Sequence, residues 1–508
     1  MAWSRINRQH FVADHCVARR VDVPRFLISL IVVASSLIAI PQACSAQSPP
    51  SSDPFQPAAR QHLLRVVNFY RSKVGYQGAY LWRYSADLKY QEGEEAATAT
   101  SGWTQPPGTP AVGEAFLNAY RVCGETELLN AAIEVAHALV RSQLQSGGWA
   151  SHFDLQSPGR DRYAYRIEGK YAGKQNYTTF DDDKTQSALR CLMHVDEVLK
   201  FEDQIIHEAV EFALKSILAV QYPNGAWPQQ YKEPAVPSLT GSRKASYPKN
   251  WSREYVKRSY RHLYTLNDNN MSKIIDTLIE AYRIYERQDC YEAVAKTGEF
   301  FLLAQMPNPQ PGWAQQYDLD MHPTWARRFE PPAITGGESQ SVMRSLIGLT
   351  RFTGDSKFVE TLPAAIQYYR RSALPDGRLA RFYELRSNHP LYFNRNYKLT
   401  YDDADVPTHY AFVVSSRLDS IEKELQTIRD HPNDAPKQEH RYPTPLPITP
   451  KLQTAAEKVI NQLDARGAWV ERSSMRHTTT ELDSIDMRTF ARNLVTLARY
   501  VGATNPNE

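Results

Sequence analysis

The chain has 508 residues, a formal net charge of +3, 42% hydrophobic and 23% charged residues. That profile fits a folded protein with a large core. So small a charge, without a Lys/Arg tail, argues against nucleic-acid binding. The 29 tyrosines and 9 tryptophans suit either sugar stacking or a large helical core.

At the N-terminus, Arg19, Arg20 and Arg25 precede an apolar run over 26–40, followed by Ala43-Cys44-Ser45-Ala46. A basic region, an apolar stretch and small residues in this order predict a signal peptide over 1–46, cleaved after Ala46. The protein is therefore expected to be secreted or periplasmic. The apolar run falls short of the ~20 residues a membrane helix needs, so no span is expected. Cys16 and Cys44 lie in this segment. Cys123, Cys191 and Cys290 remain, in helix-like contexts without a C-x-x-C, and read as buried thiols.

Residues 47–56 form a flexible Ser/Pro/Gln-rich leader, after which units of roughly 80 residues repeat. Amphipathic helices are predicted over 127–143, 203–221 and 291–305. They lead into Gln145-Ser146-Gly147-Gly148-Trp149, Asn224-Gly225-Ala226-Trp227-Pro228-Gln229-Gln230-Tyr231 and Pro311-Gly312-Trp313-Ala314-Gln315-Gln316-Tyr317. Leu374-Pro375-Asp376-Gly377 with Ala380-Arg381-Phe382-Tyr383 reads as a degenerate fourth member. Partner helices are predicted over 185–200 and 271–286.

Repeated helical hairpins of this length predict an all-α fold, an α/α toroid with long functional loops, over 57–430. All the Gly-x-Trp loops should emerge on one face of it. Their tryptophans either plug the helix pairs, the reading favoured for Trp149 and Trp227, or face a sugar, the role expected of Trp313. The basic-aromatic segment 232–264 breaks the pattern as a long loop. A Pro-rich linker over 431–451 follows, then a C-terminal segment, 452–508. Its helices, at 452–463 and 485–500, are expected to pack back on the toroid. A monomer is expected.

Three loops concentrate polar groups. Thr178-Thr179-Phe180-Asp181-Asp182-Asp183-Lys184-Thr185 opens one helix, and Thr265-Leu266-Asn267-Asp268-Asn269-Asn270-Met271 opens the next. Acids at a helix start can be simple caps, but three adjacent carboxylates repel each other and call for a cation. Carboxylates and amide oxygens such as that of Asn269 suit calcium. In a ring the two loops would meet. The third loop, Trp325-Ala326-Arg327-Arg328-Phe329-Glu330, precedes Gly336-Gly337-Glu338-Ser339. Paired arginines there suit bidentate recognition of carboxylates. Further basic groups are Arg381 and Arg395.

These segments, in this order, resemble polysaccharide lyase family 10, the pectate lyases with an α/α toroid. The resemblance covers roughly 57–415. It is carried by Thr179-Phe180-Asp181, 265–271, 313–317, 326–330, 336–339, 381–385 and 388–395. It implies calcium-dependent β-elimination of polygalacturonate by the 57–430 domain. Arg327 matches the base that takes the sugar's C5 proton. Asp181 and Asp268 match carboxylates around the calcium and the substrate carboxylate, with Asp182 as a third ligand. Arg381 and Arg395 match uronate-binding arginines, and Arg328, Trp313 and Asn269 are expected to line the substrate site. Where the family usually has Asn-Gly/Asp-Ala-Thr after the first aspartate, this chain has Asp182-Asp183-Lys184-Thr185, so Lys184 could alter or occupy the calcium site. Arginine is also an awkward base, its pKa exceeding ~12. Two competing readings remain: an inverting glycoside hydrolase using Asp182 or Asp183 with Asp268, and a non-catalytic pectin-binding relative.

Overall fold

Helix pairs are the unit of the structure, a computed structural model that describes residues 54–171, 173–233, 243–257, 259–408, 410–431, 446–476 and 480–504. The expected signal peptide lies outside the described residues, as do most of the leader, most of the Pro-rich linker, and 234–242 and 258 of the basic-aromatic loop. Twelve α-helices are found among the described residues: α1 (Phe55–Phe69), α2 (Thr109–Cys123), α3 (Thr126–Ser142), α4 (Lys184–Val198), α5 (Gln204–Ala219), α6 (Asn270–Tyr285), α7 (Gln288–Ala304), α8 (Glu338–Thr353), α9 (Leu362–Arg371), α10 (Leu418–Asp430), α11 (Pro450–Asn461) and α12 (Met487–Val501).

An inner row runs α12–α2–α4–α6–α8–α10, each helix packed on the next, and α1, α3, α5 and α7 form an outer row behind it. This is the α/α-toroid architecture. Each outer helix buries an apolar stripe against its inner partner. On α5 the stripe is Ile206, Ala209, Val210, Ala213, Leu214 and Ile217, the spacing that places residues on one helical face. Side-chain carboxylates cap several starts, as where Asp203 accepts from the backbone N–H of Ile205 and Ile206 at 3.1 Å. No helix among the described residues is long and apolar enough to cross a membrane.

The tryptophans of the Gly-x-Trp loops are pegs. Trp149, Trp227 and Trp313 are fully buried. Each donates its indole N–H to a carbonyl of the outer helix just ended: Trp149 to Leu139 at 2.8 Å, Trp227 to Ile217 at 3.2 Å, and Trp313 to Phe301 at 2.8 Å. Such a side chain buries a large apolar area while its one donor is satisfied. Trp313 is thus closed off from any sugar, against the expectation for it. Gly147 and Gly225 take positive φ, 105° and 93°, a conformation that costs glycine nothing. A further member sits at Gly467-Ala468-Trp469, where Gly467 has φ 98° and Trp469 donates to Val459 at 2.7 Å.

The C-terminal segment differs from its predicted form. Glu481–Asp486 is a strand, and α12 begins only at Met487. Ile485 pairs opposite Tyr84 within a four-stranded sheet, and Asp486 then accepts from the Arg488 N–H at 2.7 Å, which starts the helix. Cys123, Cys191 and Cys290 are unpaired thiols, the last two buried.

Candidate active site

Because the chain alternates inner and outer helices, every outer helix ends on the face where the next inner helix begins. The N-termini of α4, α6 and α8 therefore lie side by side, each reached through a peg tryptophan and a short strand. Thr178–Thr179 pairs with Gln230–Tyr231, and Tyr264–Thr265 with Gln316–Tyr317. Helix N-termini favour negative charge, and this is where the acids collect.

The loops before α4 and α6 are copies of one turn. In Asp181-Asp182-Asp183, residues 182 and 183 have φ of 50° and 62°; in Asn267-Asp268-Asn269, residues 268 and 269 have φ of 53° and 59°. Asp and Asn are the side chains that best tolerate this left-handed region. Asp182 and Asp268 are therefore equivalent, as are Asp181 and Asn267, Asp183 and Asn269, and Lys184 and Asn270. The supports are copied too. Gln229 Nε2 donates to Asp181 Oδ1 at 3.0 Å, and Gln315 Nε2 donates to Asn267 Oδ1 at 3.0 Å.

Carboxylate oxygens of Asp181, Asp182 and Asp268 lie within 4.8 Å of one another. Lys184, its side chain only 5% exposed, puts its ammonium 3.4 Å from Asp181 Oδ2 and 3.5 Å from Asp182 Oδ2. Asp183 turns away to Arg190, 2.7 Å from it. Asp268 Oδ2 accepts from Asn267 Nδ2 at 2.7 Å and from Arg327 Nη2 at 3.2 Å. Burial, the Asp181 and Asp182 charges and that of Glu338 outweigh Arg327 and push Asp268 up to about 7. Burial and Asp181 also raise Asp182.

Arg327 is held from behind. Glu330, 1% exposed, accepts from the backbone N–H of Arg327 at 3.0 Å, from Nε at 2.8 Å and from Nη2 at 2.5 Å. Asn267 Nδ2 donates to the same carboxylate at 3.1 Å. Burial alone would lower the guanidinium pKa, but Glu330, Asp268 and Asp181 reverse this and hold it above its ordinary value. Nη1 makes no hydrogen bond among the described residues. Beside this pair, Arg381 donates to Glu338 at 2.9 Å and its guanidinium lies 4.4 Å over the Tyr410 ring. Gln315 links Asn267 to Glu338 and Tyr410.

Asp181, Asp182, Asp268, Arg327 and Arg381 thus come together. Asn269 is exposed at the mouth of its turn. Arg328 does not join them. It is exposed and lies 4.8 Å over Tyr397, because it sits inside the tight turn that the Glu330 N–H closes onto the Arg327 carbonyl at 3.0 Å. Arg395, 71% exposed, pairs with Asp405 at 3.2 Å on the surface. Glu330, Glu338 and the Gln229/Gln315 pair are not among the expected site residues, although the Gln-Gln-Tyr repeated after Trp227 and Trp313 is the visible sign of the last.

The donor set fits a hard divalent cation. Around the cluster, the carboxylates of Asp181, Asp182, Asp268, Glu330 and Glu338 face the cations of Lys184, Arg327 and Arg381. Five carboxyl groups against three bases leave an excess of acid, and the carboxylate oxygens are of the kind calcium prefers.

The sequence model of the pectic acid lyase family matches residues 143–380. None of the curated proteins matches the chain. Among solved structures, the chain is similar to a family 10 polysaccharide lyase from Cellvibrio cellulosa at 21% identity, with 58% of this chain and 91% of that one covered and a TM-score of 0.44. It is similar to an aspartate-to-alanine mutant of a family 10 lyase from the same organism, in complex with trigalacturonic acid, at 19% identity, covering 63% and 98% with a TM-score of 0.43. A cellobiose 2-epimerase from Bacillus thermoamylovorans is similar at 14% identity, covering 87% and 98% with a TM-score of 0.41. The match to the pectic acid lyase family model takes in both acid turns and the Arg327 loop, within residues 143–380.

Proposed function

We propose that the protein is an exported pectate lyase that cleaves α-1,4-polygalacturonate by calcium-assisted β-elimination, with Arg327 as the base. The observation that carries this reading is the guanidinium of Arg327, fixed by Glu330 beside a three-carboxylate cluster within the pectic acid lyase segment. Export rests on the sequence pattern over 1–46.

Asp181, Asp182 and Asp268 would hold the calcium. When bound, it supplies positive charge to the substrate's uronate carboxylate, against which charge builds as the C5 proton leaves. Arg327 takes that proton. The C5–H electrons form the C4=C5 double bond, the C4–O bond breaks, and the leaving oxygen acquires a proton from solvent. The product is a 4,5-unsaturated oligogalacturonide. Since Nε and Nη2 are committed as donors to Glu330 and Asp268, the atom with a lone pair to offer in the neutral guanidine is Nη1. Arg381, backed by Glu338 and Tyr410, is a fork suited to a uronate carboxylate, and Arg395 would act at the rim.

The carboxylate spacing favours this reading over an inverting hydrolase. Asp182 and Asp268 bring oxygens within 4.8 Å, whereas an inverting pair needs about 6.5–9.5 Å. The test is polygalacturonate incubated with the protein, with and without a calcium chelator. Ultraviolet absorbance from a conjugated double bond, abolished by chelator, is expected. Chain shortening without that absorbance would make it a hydrolase, and binding without cleavage a pectin-binding relative.

A further inference from the structure

Each carboxylate of the acid cluster already has a cationic partner, and one of these partners is peculiar in its placement. Lys184 is the first residue of α4, at the positive end of the helix dipole, where a cation is disfavoured. Its ammonium is nevertheless buried and lies nearly equidistant from Asp181 and Asp182. An ammonium withdrawn from water costs several kcal/mol unless opposite charge compensates it, so these two carboxylates hold it there. The turn itself does not need it. In the copy before α6, the equivalent residue is Asn270, and the backbone has the same two left-handed residues.

We propose that Lys184 is a resident counter-cation of the acid cluster, and that a calcium ion binds by displacing its ammonium from Asp181 and Asp182. The inference rests on reading the cluster as the calcium site. The same two carboxylates would serve ammonium and metal in turn, so occupancy is an exchange rather than a filling of empty ligands. Calcium affinity is set low by the work of moving Lys184. In exchange, the cluster keeps a charge partner when calcium is scarce, and the fold tolerates three crowded acids without the metal. Lys184 is a positioning and affinity-setting residue and has no part in the chemical step.

The test is calcium titration calorimetry on the full mature chain, comparing wild type with Lys184→Asn, which installs the residue of the sister turn, and Lys184→Met, which keeps length without charge. Both variants should bind calcium at least tenfold more tightly than wild type. In chelator both should melt at lower temperature than wild type, and calcium should raise their melting temperature by more. Equal or weaker calcium binding by two variants with wild-type helical circular dichroism would overturn the proposal. If wild type binds calcium and the variants match it, only this inference falls. If no form binds calcium while wild type still eliminates polygalacturonate in chelator, the inference and the calcium site fall together and the lyase assignment stands.

Discussion

The buried carboxylate of Glu330 accepts three hydrogen bonds from Arg327, one from its backbone N–H and two from its guanidinium. One residue thereby fixes both the position and the charge of the other. The same contacts that aim the guanidinium make its proton harder to lose. Glu330→Gln keeps the shape and removes the charge, so the guanidine should deprotonate more readily. The rise of kcat with pH should then move to lower pH, with KM nearly unchanged. Glu330→Ala would leave Arg327 unanchored, and kcat should fall by roughly 100-fold or more, by analogy with other lost acid–base geometry. A pH–rate profile for the Gln variant superimposable on that of wild type would show that Glu330 does not tune the base.

Arg327→Lys retains a positive charge but loses the fork. If Arg327 removes the proton, kcat should drop by about 10²–10⁴, with substrate affinity nearly kept, the signature of an interaction made in the transition state. Near-normal kcat for the Lys variant would reduce Arg327 to an electrostatic role.

Trp313 is a peg, so its loss should register as stability and not as affinity. Trp313→Phe keeps most of the ring but orphans the Phe301 carbonyl, at a cost of about 1–3 kcal/mol. Thermal melting should show the loss, while oligogalacturonate binding by calorimetry should be unchanged. A weakened affinity with an unchanged melting temperature would restore the sugar-facing role.

A pH-sensitive tie lies on the inner helices. His194 of α4 contacts Glu114 of α2 at 2.6 Å and Glu280 of α6 at 2.9 Å. Burial would lower its pKa, but the two glutamates raise it to about 9. A histidine raised in the folded state contributes stability that is fully present below about 6.5 and is lost as pH rises through about 9. The contribution is at most about 3 kcal/mol. Melting temperature should therefore fall between pH 6.5 and 9.5, and His194→Gln should flatten that fall. A wild-type melting temperature constant across this window would refute the tie.

Much of the fold was legible because it repeats. Periodic apolar residues located α3 to α7 to within a few residues, and the tryptophan loops announced the hairpins. The fourth peg, at Trp469, is hidden in the sequence because the Pro-rich segment before it interrupts the period of the repeats. The α12 start was misread because Ile485 continues the apolar count while Asp486 ends a strand. Asp181, Asp268 and Arg327 were legible from motifs. Glu330 was not assigned a role, since an acid after an aromatic residue looks like any exposed glutamate until the backbone folds it under Arg327. Arg328 is adjacent to Arg327 in the sequence, yet the tight turn from Arg327 to Glu330 carries its side chain outward over Tyr397.

The acid cluster draws its members from two successive repeats, Asp181 and Asp182 from the start of α4 and Asp268 from the start of α6. A divalent ion held there would act as a rivet through the seam between two hairpins. The stiffness of the cleft would then depend on the ion and not only on helix packing, with α4 and α6 free to slide slightly when it is absent. Amide hydrogen exchange should read that directly, as slower exchange at the first turns of both helices once calcium is added.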